Sequence, residues 1–342
     1  MAKIKIHLFG KHSHRTPLSY AVYQRLFSPY VEFVDDIKNA DVVASGTFTD
    51  FRRNARELAA LEHSPRFLVL SEEPYWDVCW DPVFEHRHGD VSKGDSTVVF
   101  QRVNHTNSSI YSFVNLPYYI TTDNEFYARY AWFFKRNATF RAKDWLAHWQ
   151  RCRYREAYLV ERRLEEKHLV DRPDLSMWSY SVLRTQLAER VFTFDNSGEG
   201  LVAGFRWRDD VRRQKLPDWH LDKIQMLDGQ AQLINALENT HQRDYVSEKL
   251  FDGFALQGIP IYSADKDHSL FRLLPNPACI NLFGHSFEQA AEAIDNFAVD
   301  SEFAEQYTEN QQQLALLFSQ PWQLHEERAR VVREVVNVLY QL

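Results

Sequence analysis

Four short apolar runs open the chain: residues 4–9, "YVEFVD" from Tyr30, "ADVVASG" from Ala40, and "RFLVLSEEP" ending at Pro74. Between them, residues 18–27 and the stretch "FRRNARELAALE" repeat their apolar positions at helical spacing. Strand and helix therefore alternate, which predicts an α/β fold with a mostly parallel sheet covered on both faces. The first turn carries no GxGxxG, so a dinucleotide fingerprint is absent. Residues 75–119 break the rhythm, rich in Trp, His, Asn and Ser, and are expected to be long loops hung on the sheet.

A second alternating block follows a charged stretch. Residues 143–169, "KDWLAHWQRCRYREAYLVERRLEEKHL", read as one long helix closed by Pro173, with glutamates interleaving the arginines at helical spacing as a solvated face. After it come "VFTFD" before Asn196, "AQLINALEN" to Asn239, a helix over residues 247–257, "IPIYSA", "ACINLFG" and closing helices. With 342 residues, 44% of them hydrophobic, there is apolar material for two cores. The expected plan is an α/β lobe over residues 1–165, a second over 166–320, and an interdomain cleft suited to a small molecule. The final stretch, 321–342, is amphipathic through Val331, Val332, Val335, Val338 and Leu339, and is expected to pack back on the first lobe.

The formal charge of -7 supplies no global field for nucleic acid or anionic membrane, so an anion site has to be local. Cys79, Cys152 and Cys279 lack CxxC spacing, which speaks against a disulfide framework or thiolate metal site. No window approaches the roughly 20 apolar residues of a membrane span. The expected location is cytoplasmic, with contact at the inner face of the plasma membrane as the sharper alternative for the last helix. The pairs His12/His14 and His86/His88 lack an evident third metal ligand.

The stretch "DYVSEKLFDGFALQGIPIY" concentrates the chemistry. Asn239 lies at the carboxyl end of an apolar strand, where open α/β sheets hold ligands. Ser247 suits an N-cap, Gly258 a C′ position, and Leu250, Phe251, Phe254 and Ala255 a buried face. Glu248 and Lys249 then fall in the first turn, where free N–H groups and an ammonium suit a phosphate or diphosphate. Glu248 can accept from sugar hydroxyls. The alternative is a core helix with a charged first turn.

The segment "ALENTHQRDYVSEKLFDGFALQGIPIY", followed by "LLPNPACINLFGHSF", resembles the donor-binding part of the family-10 glycosyltransferases, the α1,3/4-fucosyltransferases. That resemblance implies a GT-B fold of two Rossmann-like lobes and an inverting transfer, with fucose from GDP-fucose moved to a glycan hydroxyl, as in lipopolysaccharide-type surface glycans. It places Asn239, Tyr245, Glu248 and Lys249 on the donor. Arg184 becomes the second diphosphate cation, with Arg190 as its rival. "FLVLSEEPYW" resembles the turn bearing the family's catalytic carboxylate, which makes Glu72 the candidate base and Glu73 its alternate. Protein cations can neutralise the diphosphate, so no metal or cofactor is required. A different nucleotide-sugar, or a non-catalytic binding module on the same scaffold, are the competing implications.

Overall fold

The computed structural model describes residues 2–194, 200–207, 212 and 215–342. They form two compact units, Met1–Asn124 with Trp322–Leu342, and Glu125–Pro321.

In the first unit, β1 (Ile4–Leu8), β2 (Val31–Phe33), β3 (Val42–Ser45), β4 (Arg66–Leu70), β5 (His88–Lys93) and β6 (Ser96–Val103) make one sheet ordered β2-β1-β3-β4-β6-β5. All neighbours run parallel except the β5–β6 hairpin. The period of two sends Val42, Ala44, Leu68 and Leu70 to one face with Tyr23 and Phe27. It sends Val43 and Val69 to the other, against Phe51, Leu58 and Phe100.

The closing helix, Pro321–Gln341, lays Val331, Val332, Val335, Val338 and Leu339 on the first of these faces. Each such side chain contributes about 1.5–3 kcal/mol on burial. Glu327 on the same helix is buried as well, its carboxylate accepting from the Val114 and Asn115 amides at 2.6 and 2.5 Å.

Residues 75–119 are not the loops their composition suggested. Pro74–Trp80 is a helix, and β5 and β6 form the antiparallel edge. The edge strand "HGDVSK" buries only Val91, so a periodicity test has little to find there.

In the second unit, β7 (Tyr154–Leu159), β8 (Trp178–Ser179), β9 (Gly200–Ala203), β10 (Ala231–Asn235), β11 (Thr240–His241), β12 (Ile259–Tyr262) and β13 (Ile280–Asn281) are the strands. Five build a parallel sheet ordered β13-β12-β10-β7-β9, while β8 and β11 pair separately.

The single helix expected over residues 143–169 is therefore two elements, a helix Ala142–Trp149 and then β7. A short apolar run such as "YREAYLV" has no period that separates helix from buried strand; pairing with β10 and β9 decides it. The consequence reaches the domain plan. Because β7 is interior to the second sheet, the units divide at 124/125, not at 165/166. The charges pair across elements too: Glu156 with Arg190, and Glu165 with Arg206. "VFTF" likewise continues the helix Ser181–Phe194 where a strand was expected, and Asp195 lies outside the described residues.

Both sheets share one topology. The strand order reverses beside the first strand of each, between β1 and β3 and between β7 and β10, and it is outside the carboxyl ends of strands at such a reversal that open α/β sheets bind ligands.

Candidate active site

At the second reversal, the chain leaves β10 through Leu237, Glu238 and Asn239 and returns as the helix Glu248–Ala255. Ser247 caps that helix, its Oγ accepting from the Lys249 amide at 3.4 Å. Leu250, Phe251, Phe254 and Ala255 are buried as the spacing required. The far end differs from expectation. Gln257, at φ +67°, holds the left-handed C′ position, and the Gln257 and Gly258 amides donate to the Phe254 and Gly253 carbonyls at 3.2 and 3.1 Å. Gly258 comes one residue later and is small for another reason: a Cβ there would stand 2.5 Å from the Ile234 side chain.

The helix start is a compact charge cluster. Lys249 Nζ donates to Glu238 Oε2 at 3.0 Å, to Ser247 Oγ at 2.9 Å and to Glu248 Oε1 at 3.3 Å. Glu238 also accepts from the Ser247 amide and hydroxyl at 2.7 and 2.8 Å. Sequence reasoning passed over Glu238, although it adjoins Asn239; the only signal was a lone acid at the end of an apolar strand. Burial pushes the Glu238 carboxyl up, against the pull of Lys249. For Glu248, burial again works upward, but the Lys249 and Lys223 charges outweigh it and hold the carboxyl below its usual range.

Other expected residues gather at this edge. Arg184, 4% exposed, donates to the Leu237 carbonyl at 3.4 Å. The Asn239 carbonyl accepts from the Tyr180 amide at 2.9 Å, tying the start of the Ser181–Phe194 helix to the end of β10. Tyr245 is buried in the intervening loop. Arg190 is engaged elsewhere, clamping Glu156 at 2.6 and 2.7 Å and pairing with Asp295. Alongside lies a groove of about 530 Å³ walled by Trp178, Tyr180, Phe283 and Phe287.

Beneath the helix, Asp252 anchors a buried network. It accepts from His220 Nε2 at 2.8 Å, Lys223 Nζ at 2.6 Å and the Tyr130 hydroxyl at 2.6 Å. The Tyr130 hydroxyl also lies 3.2 Å from the Glu248 carbonyl. Burial would raise Asp252; Lys223 and His220 outweigh it and hold the carboxyl well below the usual range.

In the first unit, Glu72 follows β4 and is fully buried. Tyr20 and Tyr118 donate to its two oxygens at 2.7 and 2.8 Å, and Arg15 stands 3.9 Å away. His105 Nε2 and the Tyr119 hydroxyl both donate to its carbonyl. Burial raises the carboxyl, with Arg15 and the two phenols pulling it back. Glu73, also buried, precedes the helix Pro74–Trp80. Tyr111, Phe113 and Tyr118, from the stretch expected to be loops, are core residues here. His12 and His14 do not lie on an extended strand. His12 pairs with Asp50, and His14 Nδ1 donates to the Lys11 carbonyl at 3.0 Å. Among the described residues no helix is long and apolar enough to cross a membrane, and no group of three His, Cys, Asp or Glu is placed to hold a metal ion.

A doubly wound sheet carrying an ammonium and a helix N-terminus at its reversal point is built to hold a small anionic molecule. Residues 212–335 match the family model described as glycosyltransferase family 10 (fucosyltransferase), C-terminal. Over that segment the chain is similar to the C-terminal domain of the family-10 glycosyltransferases, which supports a fucosyltransferase-like glycosyltransferase. No curated protein matches it. Among solved structures, a UDP-forming alpha,alpha-trehalose-phosphate synthase from Burkholderia xenovorans is similar at 12% identity, covering 98% of this chain and 69% of that one, with a TM-score of 0.33. That likeness is too slight to bear on fold or activity.

Proposed function

We propose that the protein transfers a sugar, with fucose from GDP-fucose as the favoured donor, to a glycan hydroxyl with inversion at the sugar carbon. The observation that carries this reading is the Lys249 cluster at the start of the Glu248–Ala255 helix, inside the family-10 segment. In this reading the diphosphate displaces Glu238 from Lys249 and gains the helix N-terminus, with Arg184 as the second cation. Preorganised positive charge at the departing diphosphate is usually the largest catalytic contribution. Glu248 and Asn239 hold the sugar or ribose, Tyr245 supports the loop, and the groove at Trp178 and Phe283 receives the flat nucleobase.

The attacking hydroxyl loses its proton to a base, and the first unit's strand edge supplies it. Glu72 stands at that edge. Each of its oxygens accepts one phenol hydrogen bond and keeps a further lone pair for the proton.

A thermal-shift series with GDP-, UDP-, CMP- and TDP-sugars tests the donor. GDP compounds should raise the melting temperature, by about 2.7 kcal/mol of stabilisation at a hundredfold excess over Kd. A preference for UDP or CMP removes the fucosyl assignment. Product stereochemistry, read by proton NMR of the newly formed linkage, tests inversion.

A further inference from the structure

One short hairpin carries the groove beside the donor loop. The Arg172 and Met177 backbones pair antiparallel through hydrogen bonds of 2.8 and 3.1 Å, and Ser176, at φ +52°, lets the chain turn back between them. Asp171 and Trp178, the next residues outward, are thereby brought together on the groove wall. Asp171 Oδ1 accepts from the Ser179 amide at 2.9 Å, which fixes the acid beside β8. β8 in turn pairs with β11, Ser179 opposite Thr240 and Trp178 opposite His241, and β11 directly follows Asn239. Backbone hydrogen bonds within the second unit therefore tie this groove to the turn that carries Glu238 and Asn239.

Phe283 meets Trp178 nearly perpendicular, 5.0 Å between ring centroids. Such rings offer apolar surface to any flat base and do not tell one base from another. The polar lining can. Among the described residues, Asp171 is the groove's one carboxylate. A carboxylate only accepts hydrogen bonds, through two oxygens side by side, and Oδ1 keeps a lone pair beyond the one facing Ser179. Guanine presents two adjacent donors, N1–H and N2–H₂, on its pairing edge. Adenine and cytosine place an acceptor nitrogen there, and uracil flanks its single N–H with two carbonyls, so each would set lone pairs against the acid.

We propose that Asp171 reads the base of the donor, accepting guanine N1–H and N2–H₂ at its two oxygens while Trp178 and Phe283 border the ring. The inference rests on the transferase reading above and names the residue that sets its nucleotide specificity. Lys249 and the helix start hold any diphosphate; Asp171 admits the guanosine one.

Calorimetry with four probes tests this: GDP, IDP, which lacks the N2 amino group, XDP, which carries a carbonyl in its place, and inorganic pyrophosphate. Wild type should bind GDP about tenfold to a hundredfold tighter than IDP or XDP. In Asp171→Asn the amide oxygen still accepts from N1–H and from the Ser179 amide, while the new N–H₂ faces position 2 of the base. GDP should therefore weaken by about tenfold to a hundredfold and XDP should become the tighter ligand. Pyrophosphate affinity should be the same in both proteins, a control that a misfolded variant would fail. A D171N protein that binds pyrophosphate normally and still prefers GDP to XDP overturns the Asp171 assignment and leaves the donor reading standing. The wild-type comparison needs no variant: equal affinities for GDP and IDP overturn the assignment too. Wild type that prefers UDP, or binds no nucleotide at all, removes the guanosine donor and the Asp171 contact with it.

Discussion

Replacing Asp252 by Asn perturbs the network under the donor helix without changing its volume. Asp252 is 1% exposed, and its three partners, His220, Lys223 and Tyr130, lie at 2.6–2.8 Å. The amide keeps an oxygen acceptor but turns an N–H₂ group toward donors and leaves the Lys223 ammonium, 9% exposed, with no countercharge from this position. Removing one partner of a buried pair costs about 3–5 kcal/mol. For a unit of this size that corresponds to a melting temperature lower by roughly 6–20 °C.

The pH dependence has a definite sign. The folded Asp252 carboxyl lies below its ordinary value of 3.8, so on acidification the unfolded chain takes up this proton first. Its stabilisation is complete above about pH 4 and drains as pH falls toward the folded value. Urea unfolding of both proteins, followed by tryptophan fluorescence, should show the full gap at pH 7 and a narrowing one below pH 4. A gap under about 1 kcal/mol at pH 7, or one that widens in acid, would refute the reasoning.

Lys249→Ala should lose about 1.5–3 kcal/mol of GDP binding, a tenfold to more than hundredfold weaker Kd by calorimetry; unchanged affinity removes the phosphate role. Gly258→Ala places a methyl 2.5 Å from Ile234 and should cost about 1–3 kcal/mol in denaturant unfolding. Arg190→Met leaves the buried Glu156 carboxylate without its cation and should cost about 3–5 kcal/mol. Adding Glu156→Leu should recover much of that loss, whereas additive losses in the double variant would show that no ion pair was at work.

The alternation of apolar runs with helical spacing determined two things by itself: that the chain is α/β with parallel sheets, and which face of each helix is buried. Local periodicity is enforced by backbone geometry, so Leu250, Phe251 and Phe254, or Val331 and Val335, are readable from neighbours three and four positions away. The first-turn placement of Ser247, Glu248 and Lys249 was legible for the same reason.

What tertiary structure decided depends on partners far along the chain. "YREAYLV" becomes a strand because β10, some eighty residues on, pairs with it, and that pairing moves the unit boundary. Glu238 matters because a turn of chain brings it to Lys249. Glu72 loses its expected freedom to Tyr20 and Tyr118, 52 and 46 residues distant. His12 gains a carboxylate 38 residues away. An isolated histidine or glutamate has no period to betray its partner, so its charge, tautomer and reach are set only when the fold closes around it.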